Sequence, residues 1–185
     1  MIFLSASIPY EGREFYGTTN DAAIAGAVIA FARVCAEYDI DFYFGGHPAI
    51  TPLILEVGLD YSEHFKEKVH IYQSEHYRDK TPKSLEYYND IHWIDDDPVD
   101  HLKVMRQAMF GNETDCAVFI GGMKGILDEF KLLHEMKPDV VVYPIQSVGG
   151  ASEHLYRQLE MHNNLLESMA YTRIFREILK PYKKK

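Results

Sequence analysis

Three glycine-containing turns are the segments of this chain best suited to hold a ligand. They lie at residues 44–52 (FGGHPAITP), 120–125 (IGGMKG) and 144–152 (PIQSVGGAS), each between a predicted strand and a predicted helix. Glycine permits a positive φ and close approach of a ligand, and the start of a helix has unpaired N–H groups and a partial positive charge. Because the carboxyl ends of parallel strands meet at one edge of a sheet, the turns predict one pocket for a nucleotide-like anion.

The candidate ligand contacts come from these turns and from the end of the first strand. Ser5 could donate a hydrogen bond to a ribose or a phosphate, or it could simply cap a turn. His47 could bind a phosphate or a base, or it could cap a helix. The candidate ligand-binding residues are Ser5, Ser7, Gly45, Gly46, His47, Gly121, Gly122, Met123, Lys124, Gly125, Gly149, Gly150 and Ala151.

Aromatic and acidic side chains add further candidates. Tyr77 is one of several tyrosines that could stack on a base, although tyrosines more often serve in packing. Glu129 lies one turn into the helix that follows Gly125. It would face the ligand, or else it is an exposed acid that favours the helix dipole.

The second turn resembles a known signature. A strand, a glycine pair, a further glycine and an acid four residues later are similar to the Pro-Gly-Gly-x-Gly-Thr-x-x-Glu pattern of the SLOG superfamily. That group includes the LOG cytokinin-activating phosphoribohydrolases and the SMF/DprA proteins. Gly125 and Glu129 match a glycine and the acid of the pattern. The chain has one extra residue between the glycines, and Ile126 replaces the threonine whose hydroxyl contributes to phosphate binding.

The resemblance extends over about residues 1 to 160. The opening residues 3–9 and the first and third glycine turns look like a stand-alone SLOG cluster associated with prokaryotic conflict systems. Residues 106–109 (RQAM) are similar to the Arg-Lys-x-x-Met of LOG enzymes, but the lysine is absent and the methionine stands one position earlier. The resemblance implies that Arg106 and Glu129 are catalytic residues that act on an N-glycosidic bond, the acid stabilising an oxocarbenium ion. The alternative for Arg106 is an exposed helical arginine.

The order of elements predicts the fold. Short apolar runs alternate with helical periodicity, which predicts a Rossmann-like, doubly wound α/β domain with a mainly parallel sheet flanked by helices. The chain has no evident linker or repeat, so we expect a single domain over residues 1–185. The predicted strands are 2–6, 40–44, 69–72, 91–94, 117–120 and 140–143. The predicted helices are 20–38, one beginning near Pro48, one from about Pro98 to 110, 124–135, one from 149 or 150, and 163–180.

The sequence of the last predicted helix, 163–180, predicts apolar residues spread around it. A monomer of this size has few faces left on which to bury them. We therefore expect a homodimer or a larger homo-oligomer, and LOG-type proteins, which are typically dimers, imply the same.

Composition excludes several partners. The chain has 185 residues and a formal charge of −9, which disfavours a nucleic-acid surface because DNA affinity rests on Lys and Arg. No apolar run approaches a membrane span and no signal peptide is evident, so we expect a cytoplasmic protein in which Cys35 and Cys116 are buried thiols. We expect no cofactor. We also expect no metal, because His64, His70, His76 and His92 lack metal-ligand spacing and 95–97 (DDD) indicates an acidic helix start.

Three functions follow from these residues. The first is a module that senses or sequesters a nucleotide-derived small molecule, such as an ADP-ribose-like or cyclic nucleotide signal, in prokaryotic anti-phage defence. The alternative is a LOG-like phosphoribohydrolase that releases a base from a nucleoside monophosphate, which Ile126 makes weaker. The third is a structural or partner-binding protein.

Overall fold

A parallel sheet forms the centre of the molecule. The computed structural model describes residues 1–61, 63–81, 83–88, 90–95 and 100–184. Within these residues six strands pair in the order β4-β3-β2-β1-β5-β6, and every pairing is parallel. The strands are β1 (Ile2–Ser7), β2 (Phe42–Phe44), β3 (Val69–Ser74), β4 (Ile91–Ile94), β5 (Cys116–Gly121) and β6 (Val141–Ile145).

The helices connect these strands. The α-helices are α1 (Asp21–Tyr38), α2 (Thr51–Asp60), α3 (His101–Met109), α4 (Lys124–Met136), α5 (Gly150–Gln158) and α6 (Tyr171–Ile178). Shorter 3-10 helices span Glu63–Lys68, Glu75–Lys80, Lys83–Tyr87, Gln146–Val148 and Lys180–Tyr182. The chain proceeds from β1 outward to β4 and then returns to β5 on the other side of β1. The order therefore reverses beside β1, and the predicted Rossmann-like fold is confirmed.

Both faces of the sheet are covered, which explains why the central strands β1, β2 and β5 are mostly apolar. Along β1, Ile2 and Leu4 belong to the core beneath α1 and α6, whereas Phe3 belongs to the core beneath α3 and α4. Side chains alternate between the faces of a strand. Ser5 and Ser7 therefore share the face of Phe3 and point toward α3 and α4.

The starts of α1 and α2 are set by the residues at their N-terminal ends. Asn20 caps α1 by accepting a hydrogen bond from the Ala23 amide at 3.0 Å. The prediction that a helix begins near Pro48 is wrong, because α2 starts at Thr51 and takes Pro52 into its first turn. Proline there loses no helical hydrogen bond, since the first-turn N–H groups are unpaired in any case.

The helix before β5 is predicted to begin at about Pro98. The predicted start at Pro98 and the acidic residues Asp96 and Asp97 lie outside the described residues. The described helix α3 begins at His101, and the side chain of Asp100 accepts from the Lys103 amide at 3.2 Å. Such an N-cap supplies an acceptor that the first turn lacks.

The expected long C-terminal helix is wrong in extent and in pattern. Helix α6 begins at Tyr171, and residues 164–167 form turns instead. Its buried residues are Ile174, Phe175 and Ile178, which occupy one face and pack toward α1. The apolar residues therefore do not surround the helix; the chain itself buries most of them.

Two further features bear on the sequence-based expectations. Cys35 and Cys116 are buried free thiols, as predicted, and burial raises the pKa of Cys116 to about 12. No helix in the described part of the chain is both long and apolar enough to span a membrane.

Candidate functional site

A cavity of about 450 Å³ opens at the carboxyl ends of β1, β2 and β3, between α3 and α4. This is the edge at which the strand order reverses, where open α/β sheets usually bind ligands. Its volume falls in the range of small-molecule pockets. The lining residues are Leu4, Ser5, Ala6, Ser7, Tyr10, Arg13, Phe44, Gly45, His47, Pro48, Gln73, Tyr77, Lys80, Thr81, Leu102, Met105, Arg106, Met123, Gly125, Ile126 and Glu129.

The most organised part of the cavity is a hydrogen-bonded group of Ser5, Glu129 and Arg106. The Ser5 hydroxyl donates to Glu129 Oε2 at 2.5 Å, and Arg106 Nε donates to Glu129 Oε1 at 3.4 Å. The side chains of Arg106 and Glu129 are only 13% and 17% exposed. Three different elements, β1, α3 and α4, thus place a carboxylate with both oxygens engaged against the cavity.

Gly125 holds the arginine in this group. Arg106 Nη2 donates to the Gly125 carbonyl oxygen at 3.3 Å, and a Cβ on Gly125 would lie 3.2 Å from the same nitrogen. A side chain at this position would therefore crowd the guanidinium. Arg106 therefore donates hydrogen bonds to both the glycine and the acid of the SLOG-like pattern.

The second glycine turn supports the start of α4. Gly121 and Gly122 have φ angles of +63° and +85°, a region that side chains disfavour. The Met123 amide donates to Ser7 Oγ at 3.3 Å, and Met123 gives the helix no side-chain cap. Met123 and Gly125 line the cavity, so the uncapped, positively polarised start of α4 faces it.

The first glycine turn contributes His47 and Gly45 to the cavity, while Gly46 is buried behind them. His47 Nδ1 accepts from the Ala49 amide at 3.2 Å. Burial lowers the pKa of His47 to about 4, so the ring is neutral near pH 7. Gln73, which also lines the cavity, donates to the Gly46 carbonyl oxygen at 2.9 Å and fixes the turn.

The third glycine turn is at the same sheet edge but does not line the cavity, contrary to expectation. Gly149 adjoins the backbone of Thr18, and the Ala151 amide donates to the Gly122 carbonyl oxygen at 3.1 Å. Gly150 and Ala151 are buried. The turn therefore supports the second turn from behind. Of the other candidates, Gly121 and Gly122 are backbone supports and Lys124 is exposed outside the cavity.

Several lining residues were missed by sequence reasoning. Arg13 comes from the loop after β1, Gln73 comes from the end of β3, and Lys80 comes from the 3-10 helix that follows β3. These segments have no hydrophobic period, so the sequence does not predict their structure. The only signal was that each follows the carboxyl end of a predicted strand. Tyr77, expected as a stacking residue, does line the cavity, and its hydroxyl lies 3.1 Å from His101 Nε2.

The cavity differs in charge from the whole molecule. Among the described lining residues, Arg13, Lys80 and Arg106 are cations and Glu129 is an acid. The neutral His47 adds no charge at pH 7. A chain with a formal charge of −9 thus has a cavity with an excess of positive charge, which suits an anionic ligand.

The sheet order and the site define a Rossmann-like α/β protein with a candidate ligand site at the carboxyl edge. A family model described as the SLOG cluster3 family matches residues 14–179. The chain belongs to this family, and the predicted SLOG relationship is confirmed. No curated protein matches the chain in sequence.

Proposed function

We propose that this protein binds a nucleotide-derived small molecule as a sensor or sequestering module of the prokaryotic cytoplasm. The observation that carries the proposal is the cavity itself, with an excess of cationic side chains and the ordered Ser5–Glu129–Arg106 group at its wall. An ADP-ribose-like or cyclic nucleotide signal fits this chemistry, and anti-phage defence is the role we propose for its recognition. SLOG membership supports a nucleotide-related ligand.

The residues divide between the parts of such a ligand. Arg13, Lys80 and the start of α4 offer positive charge and backbone N–H groups to phosphates. Ser5 and Glu129 offer a hydroxyl and a carboxylate to sugar hydroxyls. Tyr77 offers an aromatic face to a base. The cavity is therefore equipped for each chemical part of a nucleotide.

A ligand screen tests the proposal. Purified protein is heated with ADP-ribose, cyclic nucleotides, nucleoside monophosphates and the uncharged nucleosides, and bound material is recovered by chromatography. An anionic nucleotide should raise the melting temperature with increasing concentration, because it binds the folded state, and should be recovered intact. The uncharged nucleosides should give smaller shifts. If no anionic nucleotide raises the melting temperature, the proposal is wrong.

A second candidate, a LOG-like N-glycosidase, is favoured by the placement of Glu129. Ser5 and Arg106 hold its carboxylate in the cavity wall, where it could stabilise an oxocarbenium-like transition state. The buried Ile126, which stands where the pattern has a threonine, counts against it by removing one hydroxyl from the phosphate end.

Glu129→Gln separates the two candidates. In a sensor the change should alter affinity by about 0.5–1.5 kcal/mol, the usual contribution of one hydrogen bond. In a hydrolase, nucleoside monophosphates should yield free base and ribose phosphate, and Glu129→Gln should remove most turnover while leaving binding largely intact. The matched control is Asp128→Asn, an exposed acid on the same helix, which should change neither quantity.

A further inference from the structure

Three potential metal ligands meet far from the cavity, toward the amino ends of β3 and β4. The strands pair Ile71 with Ile91, which places His70 opposite Asp90 and puts His92 two residues farther along the same face. One ligand atom from each of the three side chains lies within 4.8 Å of the others. The separations in sequence predict no metal site, but the strand register brings the histidines together.

Asp90 bridges the two imidazoles. Its Oδ1 lies 3.0 Å from His92 Nε2, and its Oδ2 contacts His70 Nδ1. All three residues are partly accessible, with side chains 20%, 40% and 42% exposed for His70, Asp90 and His92. An ion from solvent can therefore reach the group without opening the core.

We propose that His70, Asp90 and His92 form a binding site for a divalent transition-metal ion of the Zn²⁺ type. Imidazole nitrogens suit zinc, copper and nickel, whereas magnesium and calcium prefer oxygen ligands. Two imidazoles and one carboxylate with an open position are a frequent zinc ligand set. The ion would replace the protons in the two contacts that Asp90 makes with His70 and His92.

The other nitrogen of His70 supports this assignment. Its Nε2 is buried without a hydrogen-bond partner, and Asp41 Oδ1 lies 3.7 Å away. With Nδ1 on the ion, the ring keeps its proton on Nε2, facing that carboxylate. A carboxylate behind a ligating histidine is the usual support that fixes its tautomer and orientation.

Such an ion would join the edge strand to the sheet. Among the described strands, β4 is the last on its side of the sheet, and all four of its residues are only partly buried. The Ile71 amide already donates to the Asp90 carbonyl oxygen at 3.0 Å. The backbones of β3 and β4 are therefore already paired at the site. The bound ion would stabilise the folded state through the linkage of binding to folding.

Metal titration of the untagged full chain, stripped with a chelator, tests the site. Zn²⁺ should bind one ion per chain by calorimetry and raise the melting temperature, Co²⁺ should give a visible absorption band, and Mg²⁺ should do neither. Asp90→Asn and His92→Phe should each weaken Zn²⁺ binding by more than about 100-fold, because even groups that only support a ligand change affinity by about 10–100-fold. His92→Phe keeps a ring on Tyr72, with which His92 stacks at 4.5 Å.

The matched control is His64→Ala, since exposed His64 also has two acidic neighbours, Asp39 and Glu67. These acids contact opposite nitrogens of its ring, so they cannot share one ion with it. The control should bind Zn²⁺ like the unmodified chain. Absence of one-to-one Zn²⁺ binding, or binding that both site variants leave unchanged, would overturn the proposal.

Discussion

Ile126 covers the second glycine turn from the cavity side. Its side chain is buried, and a Cβ on Gly122 would lie 1.9 Å from Ile126 Cδ1. The isoleucine therefore occupies the space that Gly122 leaves free. An apolar side chain here offers a phosphate no hydrogen bond, so any phosphate at the start of α4 depends on backbone N–H groups and the cations across the cavity.

Ile126→Thr should strengthen binding of a phosphate-bearing ligand by about tenfold relative to its uncharged nucleoside. A hydrogen bond to a charged group contributes about 1.5–3 kcal/mol, and part of that will be lost to imperfect geometry. The matched control is Ile126→Val, which has the shape of threonine without the hydroxyl. Calorimetry with a nucleoside monophosphate and its nucleoside measures the ratio. Equal ratios for the two variants would show that phosphate does not approach residue 126.

His47 makes folding sensitive to pH. Burial lowers its pKa to about 4 in the folded protein, whereas an unfolded chain has a value of about 6.5. Between these values the unfolded state binds a proton that the folded state does not. The stability due to neutral His47 is complete above about pH 6.5 and is lost as the pH falls toward 4.

The free energy of unfolding should therefore fall by about 1–3 kcal/mol more in the unmodified protein than in His47→Asn between pH 7 and pH 4. Asparagine can accept the Ala49 amide hydrogen bond without titrating in this range. Urea unfolding at several pH values measures the difference, and the other titrating groups cancel because both proteins share them. Parallel curves would mean that His47 is accessible to protons in the folded state.

At the scale of elements, the third glycine turn packs against the loop before α1 and holds it in place. Gly149 has a φ of +77°, and a Cβ added there would lie 2.2 Å from the Thr18 carbonyl oxygen. The turn and the loop before α1 also form an isolated antiparallel bridge between Thr19 and Gly149. The turn thus anchors the loop that carries Arg13 toward the cavity.

Gly149→Ala should destabilise the protein by about 2–4 kcal/mol, because unfavourable φ and overpacking against backbone both contribute. Gly12→Ala is the matched control: its φ is +81°, but nothing lies within 4 Å of an added Cβ. The control should lose only about 1 kcal/mol, the cost of the φ angle. Urea unfolding compares the two. Similar losses would show that the contact with Thr18 relaxes freely.

The elements were predictable where a repeating pattern specifies them. Apolar runs located all six described strands, and the predicted helix 20–38 closely matches α1. The 3-10 helix Glu75–Lys80, which carries Tyr77 and Lys80 to the cavity, was not predictable because it has no hydrophobic period. Ser5 was predictable as a candidate from its place at the end of the first strand. Arg106 and Glu129 were predictable from the SLOG resemblance. Their mutual contacts depend on how α3 and α4 pack, which no local pattern encodes.

At the scale of the whole molecule, charge is unevenly placed. The chain has a formal charge of −9, yet Arg13, Lys80 and Arg106 meet in one cavity. A negative surface would discourage nucleic acid, and a cationic cavity within it would favour small anions that can enter. We therefore predict a small anionic ligand rather than a polymer.

For the whole molecule we predict a homodimer or a larger homo-oligomer. The chain buries one face of α6 itself, but Met169 is 66% exposed beside a shallow groove that includes Gly26, Ala30 and Tyr171. The groove is also lined by Arg173, Arg176 and Glu177. Methionine, tyrosine and arginine are enriched at protein interfaces, so this surface is suited to a second copy. Light scattering at tens of micromolar should therefore give at least a dimer mass.

Met169→Glu should shift the mass toward the monomer, whereas Leu59→Glu, at a site 67% exposed elsewhere on the surface, should not. A monomer mass for the unmodified chain would contradict the prediction, and a dimer that survives Met169→Glu would place the interface on another surface.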